Sequence, residues 1–290
     1  MTAVLRDSEL YSSANSTVGI DVSGKDAYRK ANQGGELDRL DEQHELFNRY
    51  LGNRITYAPL ENPKKILEVG AGSGAWAIQA AIQYPDAEVI AADMAPLPER
   101  PLPPNVKFQQ LNIFDPFPFE KGTFDAVHMR FVLMHVPQPN EIVKRLTELV
   151  RHGGWLIIED MDQPPKVIPN APSLTEAFTI MKKFMDSRGV CPTVGASLSQ
   201  WFIDAGAFNE VSVRHLSIPM SPDSPDSTYS QLGRGMRLSM KRFFGEDSKD
   251  GKLTAIGVTP ELQRRFSDEI ERPGWKYDLQ FYLVWSQKRA

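Results

Sequence analysis

The chain has 290 residues, a hydrophobic fraction of 41% and a formal net charge of −4. It can bury a sizeable core, and no stretch approaches the roughly 20 apolar residues that a membrane-spanning helix needs. The acidic balance argues against a nucleic-acid partner, because phosphate binding favours a basic surface. Cys191 is the single cysteine, so no internal disulfide can form, and we expect a cytoplasmic protein.

The N-terminal part of the chain is predicted to precede the main domain. Residues 1–23 are rich in Ser, Thr and Asn, and we expect them to form a mobile tail. Residues 24–62 are expected to form a helical cap, since apolar side chains recur at helical spacing between Leu37 and Leu51. Residues 63–290 then form one α/β domain.

A glycine-rich turn follows the first predicted strand of that domain. Residues 66–69 are a short apolar run typical of a buried parallel strand. The helix predicted from Ala75 would direct free backbone N–H groups at whatever lies on the turn. The turn lets the backbone approach a ligand closely, and its predicted cofactor contacts are Gly70, Ala71, Gly72 and Gly74. This pattern predicts a nucleotide-like cofactor.

Two cofactors fit this turn. The glycine spacing satisfies the permissive G-x-G-x-x-(G/A) fingerprint of dinucleotide sites, so NAD(P) stays open. Glu68 lies two positions before the turn, and the pattern from Glu68 to Gly74 resembles motif I of the class I methyltransferases, which bind S-adenosyl-L-methionine (SAM). An acid at this position makes sense if a cationic amino-acid group must be held nearby. Asp93, at the end of the second strand, could accept two hydrogen bonds from either ribose.

The middle of the chain favours SAM. The third predicted strand, residues 105–111, is followed by Asn112 and Ile113. In class I methyltransferases, which this section resembles, the polar residue after that strand meets the adenine amino group. Loop length favours Asn112 for this role over Asp115. Met94, which follows Asp93 directly, completes the predicted contacts of the adenosine group.

Arg130, at the end of the fourth predicted strand, 122–130, and His135, just past it, each have a predicted role. Arg130 either holds the SAM carboxylate or ties down Glu68 or Asp93. His135 is the candidate catalytic residue, because a general base of ordinary pKa near ~6.5 could deprotonate a neutral acceptor. The alternative is a histidine that only packs. No cluster has the spacing of metal ligands, so we predict no metal.

The remaining elements complete a mostly parallel sheet of seven strands with helices on both faces, a Rossmann-like arrangement. Gly153 and Gly154 are expected to cap a helix over residues 139–150. The last strands, 210–218 and 277–286, are expected to pair antiparallel. Two segments exceed a minimal fold, and we expect them to form lids over the ligand. These lid insertions are residues 161–195 and 219–274, and their alternative role is to pad the core or to form a homodimer face.

The combined motifs resemble a known family. The helix around Glu36-x-x-Arg39-Leu40-x-x-Gln43-His44, motif I, Asp93 and the Phe124–Arg130 strand occur in the order found in fungal secondary-metabolism methyltransferases, the group around the LaeA-like proteins. The resemblance implies SAM-dependent methylation of a small natural product at O, N or S. It also allows a SAM-binding regulatory protein without its own acceptor.

Overall fold

The computed structural model describes residues 2–5, 36–165, 167–224, 227–245 and 251–290. Its strands are β1 Thr2–Leu5, β2 Lys65–Val69, β3 Glu88–Asp93, β4 Val106–Gln110, β5 Phe124–Arg130, β6 Val150–Met161, β7 Val211–Pro219 and β8 Asp278–Gln287. Its helices are α1 Glu36–Tyr50, α2 Ala75–Gln83, α3 Pro139–Leu149, α4 Pro172–Ser187, α5 Val194–Asp204, α6 Ser227–Phe244, α7 Gly251–Ala255 and α8 Pro260–Glu269.

All the strands lie in one sheet, in the order β1-β7-β8-β6-β5-β2-β3-β4. Every described pairing is parallel except those of β8, which runs antiparallel to both β6 and β7. The chain proceeds outward from β2 to β3 and β4, then returns to place β5 on the other side of β2. The carboxyl ends of β2 and β5 therefore flank a topological switch point, where open α/β sheets bind their ligands.

The central strands β2 and β5 and the carboxyl half of β6 are buried on both faces because they are mostly apolar on both. Ile66 and Ile157 belong to one hydrophobic cluster, whereas their neighbours Leu67 and Ile158 belong to the other. The first cluster includes side chains of α1, α2, α4, α6, α7 and α8. The second includes side chains of α3 and α5. This arrangement confirms the predicted mostly parallel α/β class with helices on both faces.

The seven predicted strands are present as β2–β8. The structure adds β1, which pairs parallel with β7 at the edge of the sheet, so the segment predicted as a mobile tail includes an edge strand at residues 2–5. Residues 6–35, which cover the rest of that tail and the beginning of the predicted cap, lie outside the described residues. The described cap begins with α1.

The predicted helix cap at Gly153 and Gly154 is wrong. β6 already begins at Val150, and its pairing with β5 shifts register between the partners of Phe124 and Ala126. Gly154 lies in this irregular stretch, where a Cβ atom would stand 2.9 Å from the carbonyl oxygen of Phe124. A glycine is therefore required there by the close approach of two strands and not by the end of a helix.

Candidate functional site

The glycine turn lies at the switch point and touches three other elements. Gly70, Gly72 and Gly74 have φ values of 79°, 54° and 76°, in the left-handed region that side chains disfavour. A Cβ atom added to the first glycine would stand 2.3 Å from the Val132 side chain. One added to the second would stand 3.1 Å from Leu40, and one added to the third 3.0 Å from Leu97. The turn is thus covered by the segment after β5, by α1 and by the loop after β3.

Backbone hydrogen bonds fix the turn against the end of β3. The N–H groups of Gly70 and Ala71 both donate to the carbonyl oxygen of Ala92, at 2.8 and 3.1 Å. The carboxylate of Asp93 accepts from the Gly72 N–H at 2.8 Å and from the Ala95 N–H at 3.1 Å. These contacts place the acid at the end of β3 directly beside the turn.

Asp93 is a buried carboxylate that no ion pair neutralises in the described part of the chain. It is 2% exposed, and burial raises its pKa although backbone N–H groups act in the opposite direction. Each carboxylate oxygen can accept more than one hydrogen bond. The residue is therefore suited to neutral hydroxyl donors, which is the chemistry of a ribose diol.

The predicted adenine contacts lie at the ends of β3 and β4. The Met94 carbonyl accepts a hydrogen bond from the Gln110 side chain at 3.0 Å. Asn112 is half-buried, and its Oδ1 accepts from the Phe114 N–H at 3.1 Å. Ile113 is buried, whereas the alternative candidate Asp115 is exposed. Asn112 is therefore the better placed of the two polar candidates, and its contact with a cofactor stays a prediction.

Glu68 belongs to a buried polar cluster beneath the turn. Its Oε2 accepts from the Ala77 N–H in α2 at 3.0 Å, and its Oε1 lies 3.8 Å from His128 Nδ1. The His128 ring stacks on Trp76, with 3.8 Å between centroids. Burial raises the pKa of Glu68 to about 8, and burial lowers the pKa of His128 to about 4. Both groups are therefore largely neutral near pH 7.

Arg130 has a different partner from those predicted. Its Nε lies 2.6 Å from Glu159 Oε2, and its guanidinium carbon lies 4.8 Å from the centroid of Phe47 in α1. Burial is the largest influence on the pKa of Glu159 and raises it, but the charges and hydrogen bonds of Arg130 and His128 together outweigh burial, so the net pKa is lowered. The predicted ion pair with Glu68 or Asp93 is thus replaced by one with Glu159 in β6. A role toward the SAM carboxylate stays a prediction.

One face of α1 covers this part of the sheet. Leu40 reaches the glycine turn, and Phe47, seven residues later, packs on Arg130 and Phe131. Between them lies Gln43, which is 5% exposed and whose Nε2 has no hydrogen-bond partner in the described part of the chain. A buried amide without a partner costs free energy, so α1 presents a donor that a bound molecule could satisfy.

A large apolar cavity lies on the same side of the sheet. Its volume is about 470 Å³. It is formed by the segments that follow β5 and β6 together with α4, α6 and α7, so most of its wall comes from the two long insertions. Its apolar lining residues include Met134, Met161, Phe178, Met181, Met185, Met236, Met240, Phe243, Phe244 and Leu253. The two methionine–phenylalanine helix faces expected in the insertions therefore meet at one cavity.

His135 lines this cavity. Both its ring nitrogens are buried without a hydrogen-bond partner among the described residues. Burial, assisted by the charges of Arg39 and Arg188, lowers its pKa to about 4. The structure therefore brings the candidate catalytic residue to the cavity as an uncharged imidazole, a far weaker base than the pKa near ~6.5 expected from the sequence.

Several residues at this site were not predicted. Gln163 and Arg188 line the cavity, and His128 lies at the centre of the buried cluster. Gln163 and Arg188 have no local sequence signal, because segments distant in the chain bring them to the cavity. His128 lies within the Phe124–Arg130 strand of the family resemblance, but its contacts with Glu68 and Trp76 arise only in the fold. The described residues contain no group of three or more His, Cys, Asp or Glu that could hold a metal ion. In the same part of the chain, no helix has both the length and the apolarity to cross a membrane.

Comparison with known proteins identifies related sequences. Residues 42–210 match a family model described as a methyltransferase domain. Methyltransferase str2 of Strobilurus tenacellus is 40% identical over 88% of this chain and 94% of its own length. N-methyltransferase tcpN of Claviceps purpurea is 32% identical over 88% of this chain and 95% of its own length. The secondary metabolism regulator laeA of Aspergillus flavus is 31% identical over 86% of this chain and 69% of its own length.

Solved structures share the fold at low sequence identity. One is a chain from the complex of the Haloferax volcanii Trm112 methyltransferase activator with a methyltransferase, with a TM-score of 0.53, 13% identity, and coverage of 92% of this chain and 99% of that one. Another is the [4+2]-cyclase SpnF, with a TM-score of 0.52 and 13% identity. The match covers 98% of this chain and 88% of the SpnF chain. Since one of these proteins is named a cyclase, the fold alone does not define the reaction.

Proposed function

This chain belongs to the family of SAM-dependent methyltransferases, and on that premise we propose that it methylates O, N or S of a small natural product or metabolite. The observation that carries the proposal is the juxtaposition of two features on one side of the sheet. One is the glycine turn with its adjoining carboxylate, Asp93. The other is the methionine-rich cavity, whose wall begins at Met134 and His135, just past the end of β5.

The residues at the turn suit the cofactor. Asp93 offers a buried acceptor for ribose hydroxyls, Asn112 an amide oxygen for the adenine amino group, and Glu68 a carboxylate for the cationic amino acid. Leu40 and Leu97 pack against the turn, so α1 and the loop after β3 would border the bound cofactor. When bound, SAM supplies an activated methyl group.

The chain's own contribution to the reaction is then to place the acceptor and to exclude water. Correct alignment of two reactants is worth several orders of magnitude in rate, and the two insertions provide an apolar enclosure in which this alignment takes place. We propose that they act as lids. Methionine side chains suit such a wall, because they adapt to the shape of an apolar ligand.

The test of this function is a ligand panel. Thermal unfolding with SAM, S-adenosylhomocysteine, NAD and NADP is expected to show stabilisation by the first two only, of about 2.7 kcal/mol at about 100 times the Kd. Stabilisation by NAD or NADP alone would refute SAM as the cofactor. The alternative, a regulatory protein without its own acceptor, predicts SAM binding with no occupant for the cavity. The size of the cavity favours the enzyme.

Asp93→Ala tests the cofactor site itself. The substitution removes the buried acceptor, so we expect SAM affinity in calorimetry to fall by about ten- to a hundredfold, the effect of losing hydrogen bonds to a charged group. Glu88→Ala in the same strand is the control, because Glu88 forms an exposed ion pair with Lys107 and should leave the affinity unchanged. Equal SAM affinities of the unaltered protein and both variants would show that Asp93 does not contact the cofactor.

We also propose that the acceptor is the principal partner and that the protein is cytoplasmic. The location is supported by the single cysteine, which suits a reducing compartment. A homodimer through the insertions stays a prediction, which light scattering of the purified protein can test.

A further inference from the structure

The described residues that line the methionine-rich cavity carry charge of one sign only. Its charged lining residues are Lys182 and Arg188, and no Asp or Glu of the described chain lines it. Lys182 is neutralised within α4, since its Nζ lies 2.8 Å from Asp186. Arg188 pairs with no carboxylate in the described ranges, and its guanidinium carbon lies 5.3 Å from the centroid of the Phe184 ring. Among the described lining residues, Arg188 is therefore the one cation without a carboxylate partner in an otherwise apolar enclosure.

The fold holds this cation near His135. Val190 forms an antiparallel bridge with Pro137, so the segment that follows α4 runs beside the segment that follows β5. The charge of Arg188 is also among the causes that lower the pKa of His135, after burial and after the charge of Arg39. His135 therefore stays neutral near pH 7, and its ring offers one N–H donor and one lone pair.

Two side chains at the cavity have buried polar atoms that no described residue satisfies. Both amide atoms of Gln163 and both ring nitrogens of His135 are buried without a hydrogen-bond partner in the described part of the chain. A buried polar group without a partner is costly unless a ligand satisfies it. The guanidinium, the amide and the imidazole each offer at least one N–H donor, and a carboxylate is a group that can accept from all three.

The rest of the cavity lining is apolar and indicates what the remainder of the ligand must be. Six of the chain's ten methionines line the cavity, and aromatic side chains of α4 and α6 complete it. Such a lining provides few hydrogen-bond partners for a strongly polar ligand. The ligand that satisfies both parts of the cavity is therefore an apolar molecule with one acidic group.

We propose that the methyl acceptor is an apolar carboxylic acid, bound through its carboxylate by Arg188, Gln163 and His135 and methylated on that carboxylate to a methyl ester. This inference rests on the proposed function. A carboxylate oxygen uses a lone pair to form the bond to the methyl carbon, while the carbon–sulfur bond breaks and its electron pair stays on sulfur. The products are the ester and S-adenosylhomocysteine. No proton is transferred, so the reaction needs no general base.

Binding is tested with a matched pair of probes. Dodecanoate and dodecan-1-ol, below their aggregation limits, compete with the fluorescent probe N-phenyl-1-naphthylamine for the cavity. We expect dodecanoate to bind about tenfold more tightly than the alcohol in the unaltered protein, and Arg188→Gln to abolish this preference. Lys183→Gln is the control, since Lys183 is an exposed cation in the last turns of α4, just before Arg188, and this variant should retain the preference. Equal binding of acid and alcohol, or a preference that survives Arg188→Gln, overturns the proposal.

Transfer is tested by mass spectrometry with SAM and an equimolar mixture of dodecanoic acid, dodecan-1-ol and dodecylamine. The expected product is methyl dodecanoate. Methylation of the alcohol or the amine instead overturns the carboxylate as acceptor and leaves the proposed function standing. Binding of the acid without ester formation rejects the transfer step. Failure of SAM to bind in calorimetry would refute the proposed function itself, and the two failures are thus distinguishable.

Discussion

The protonation of Glu68 offers a test of whether the cofactor lies beside it. Burial raises its pKa from 4.5 to about 8, so the folded protein holds a proton there that the unfolded chain has lost. The stability from this group is complete below pH 4.5 and is lost as the pH rises through about 8. A cationic ammonium group brought beside Glu68 would favour the ionised carboxylate and lower its pKa.

We therefore predict that SAM binding at pH 6.5 releases about one proton from Glu68. Calorimetric titrations in two buffers of different ionisation enthalpy measure this number. Glu68→Gln keeps the size of the side chain but has no proton to lose, so its proton release should fall to near zero. The same release in both proteins would show that the SAM ammonium does not lie near Glu68.

Gly70 allows a second prediction at the scale of single residues, because the chain contains a matched control. Gly70 and Gly206 have similar positive φ values of 79° and 67°. A Cβ atom at Gly70 would stand 2.3 Å from Val132 Cγ2, whereas one at Gly206 would meet nothing within 4 Å.

Gly206→Ala should thus lower the free energy of unfolding only through backbone strain, by about 1 kcal/mol. Gly70→Ala should cost about 2–3 kcal/mol, since it adds the collision with a stiff β-branched side chain. Urea denaturation of both variants measures the difference. Equal losses of unfolding free energy would show that Val132 moves aside freely and does not hold the turn.

At the scale of elements, the cap helix α1 is attached to the insertion helix α6 by a buried polar contact. Arg39 Nη1 donates to Ser239 Oγ at 3.0 Å, and both residues are less than 10% exposed. A second link, between Arg242 and Glu42, is exposed. Since α1 also covers the glycine turn through Leu40, this attachment couples the cap to both the turn and the cavity.

Ser239→Ala should lower the free energy of unfolding by about 1.5–3 kcal/mol, because it removes a buried acceptor from a charged donor. Arg242→Ala should change it by no more than about 0.5 kcal/mol, as expected for an exposed ion pair. Both values are measurable by chemical denaturation. If the two variants lose the same amount, the buried contact does not attach α1 to α6.

The sequence predicted those elements whose signals are local. A hydrophobic run and the glycines after it identified β2 and its turn. The alternation of apolar and polar residues identified the β7–β8 pair. The beginning of β6 was missed, because a glycine pair reads equally as the end of a helix or as a bulge between strands. β1 was missed because four residues in a polar N-terminal segment carry no periodicity that could reveal an edge strand.

At the scale of the whole molecule, the same distinction separates the two parts of the candidate site. The glycine turn follows β2, which contains Glu68, and Asp93 ends the neighbouring strand β3. Their proximity therefore follows from the sheet topology alone. The cavity instead depends on how α4 and α6 pack, and these helices are about 50 residues apart in the chain. Their apolar faces were visible in the sequence, but the position of Arg188 and the depressed pKa of His135 arise only when distant segments meet.

Because α7 lines the cavity, whereas the turn is covered by α1, the segment after β5 and the loop after β3, a change in α7 should affect ligand binding in the cavity and not cofactor binding at the turn. Ala255 is exposed and lines the cavity, so a large side chain there can narrow the entrance without entering the core. Ala255→Trp should lower the affinity for N-phenyl-1-naphthylamine by about tenfold and leave the thermal stabilisation by SAM unchanged. Thr254→Trp, at an exposed neighbour outside the lining, should alter neither. Loss of SAM stabilisation in Ala255→Trp would mean that α7 controls access to both sites.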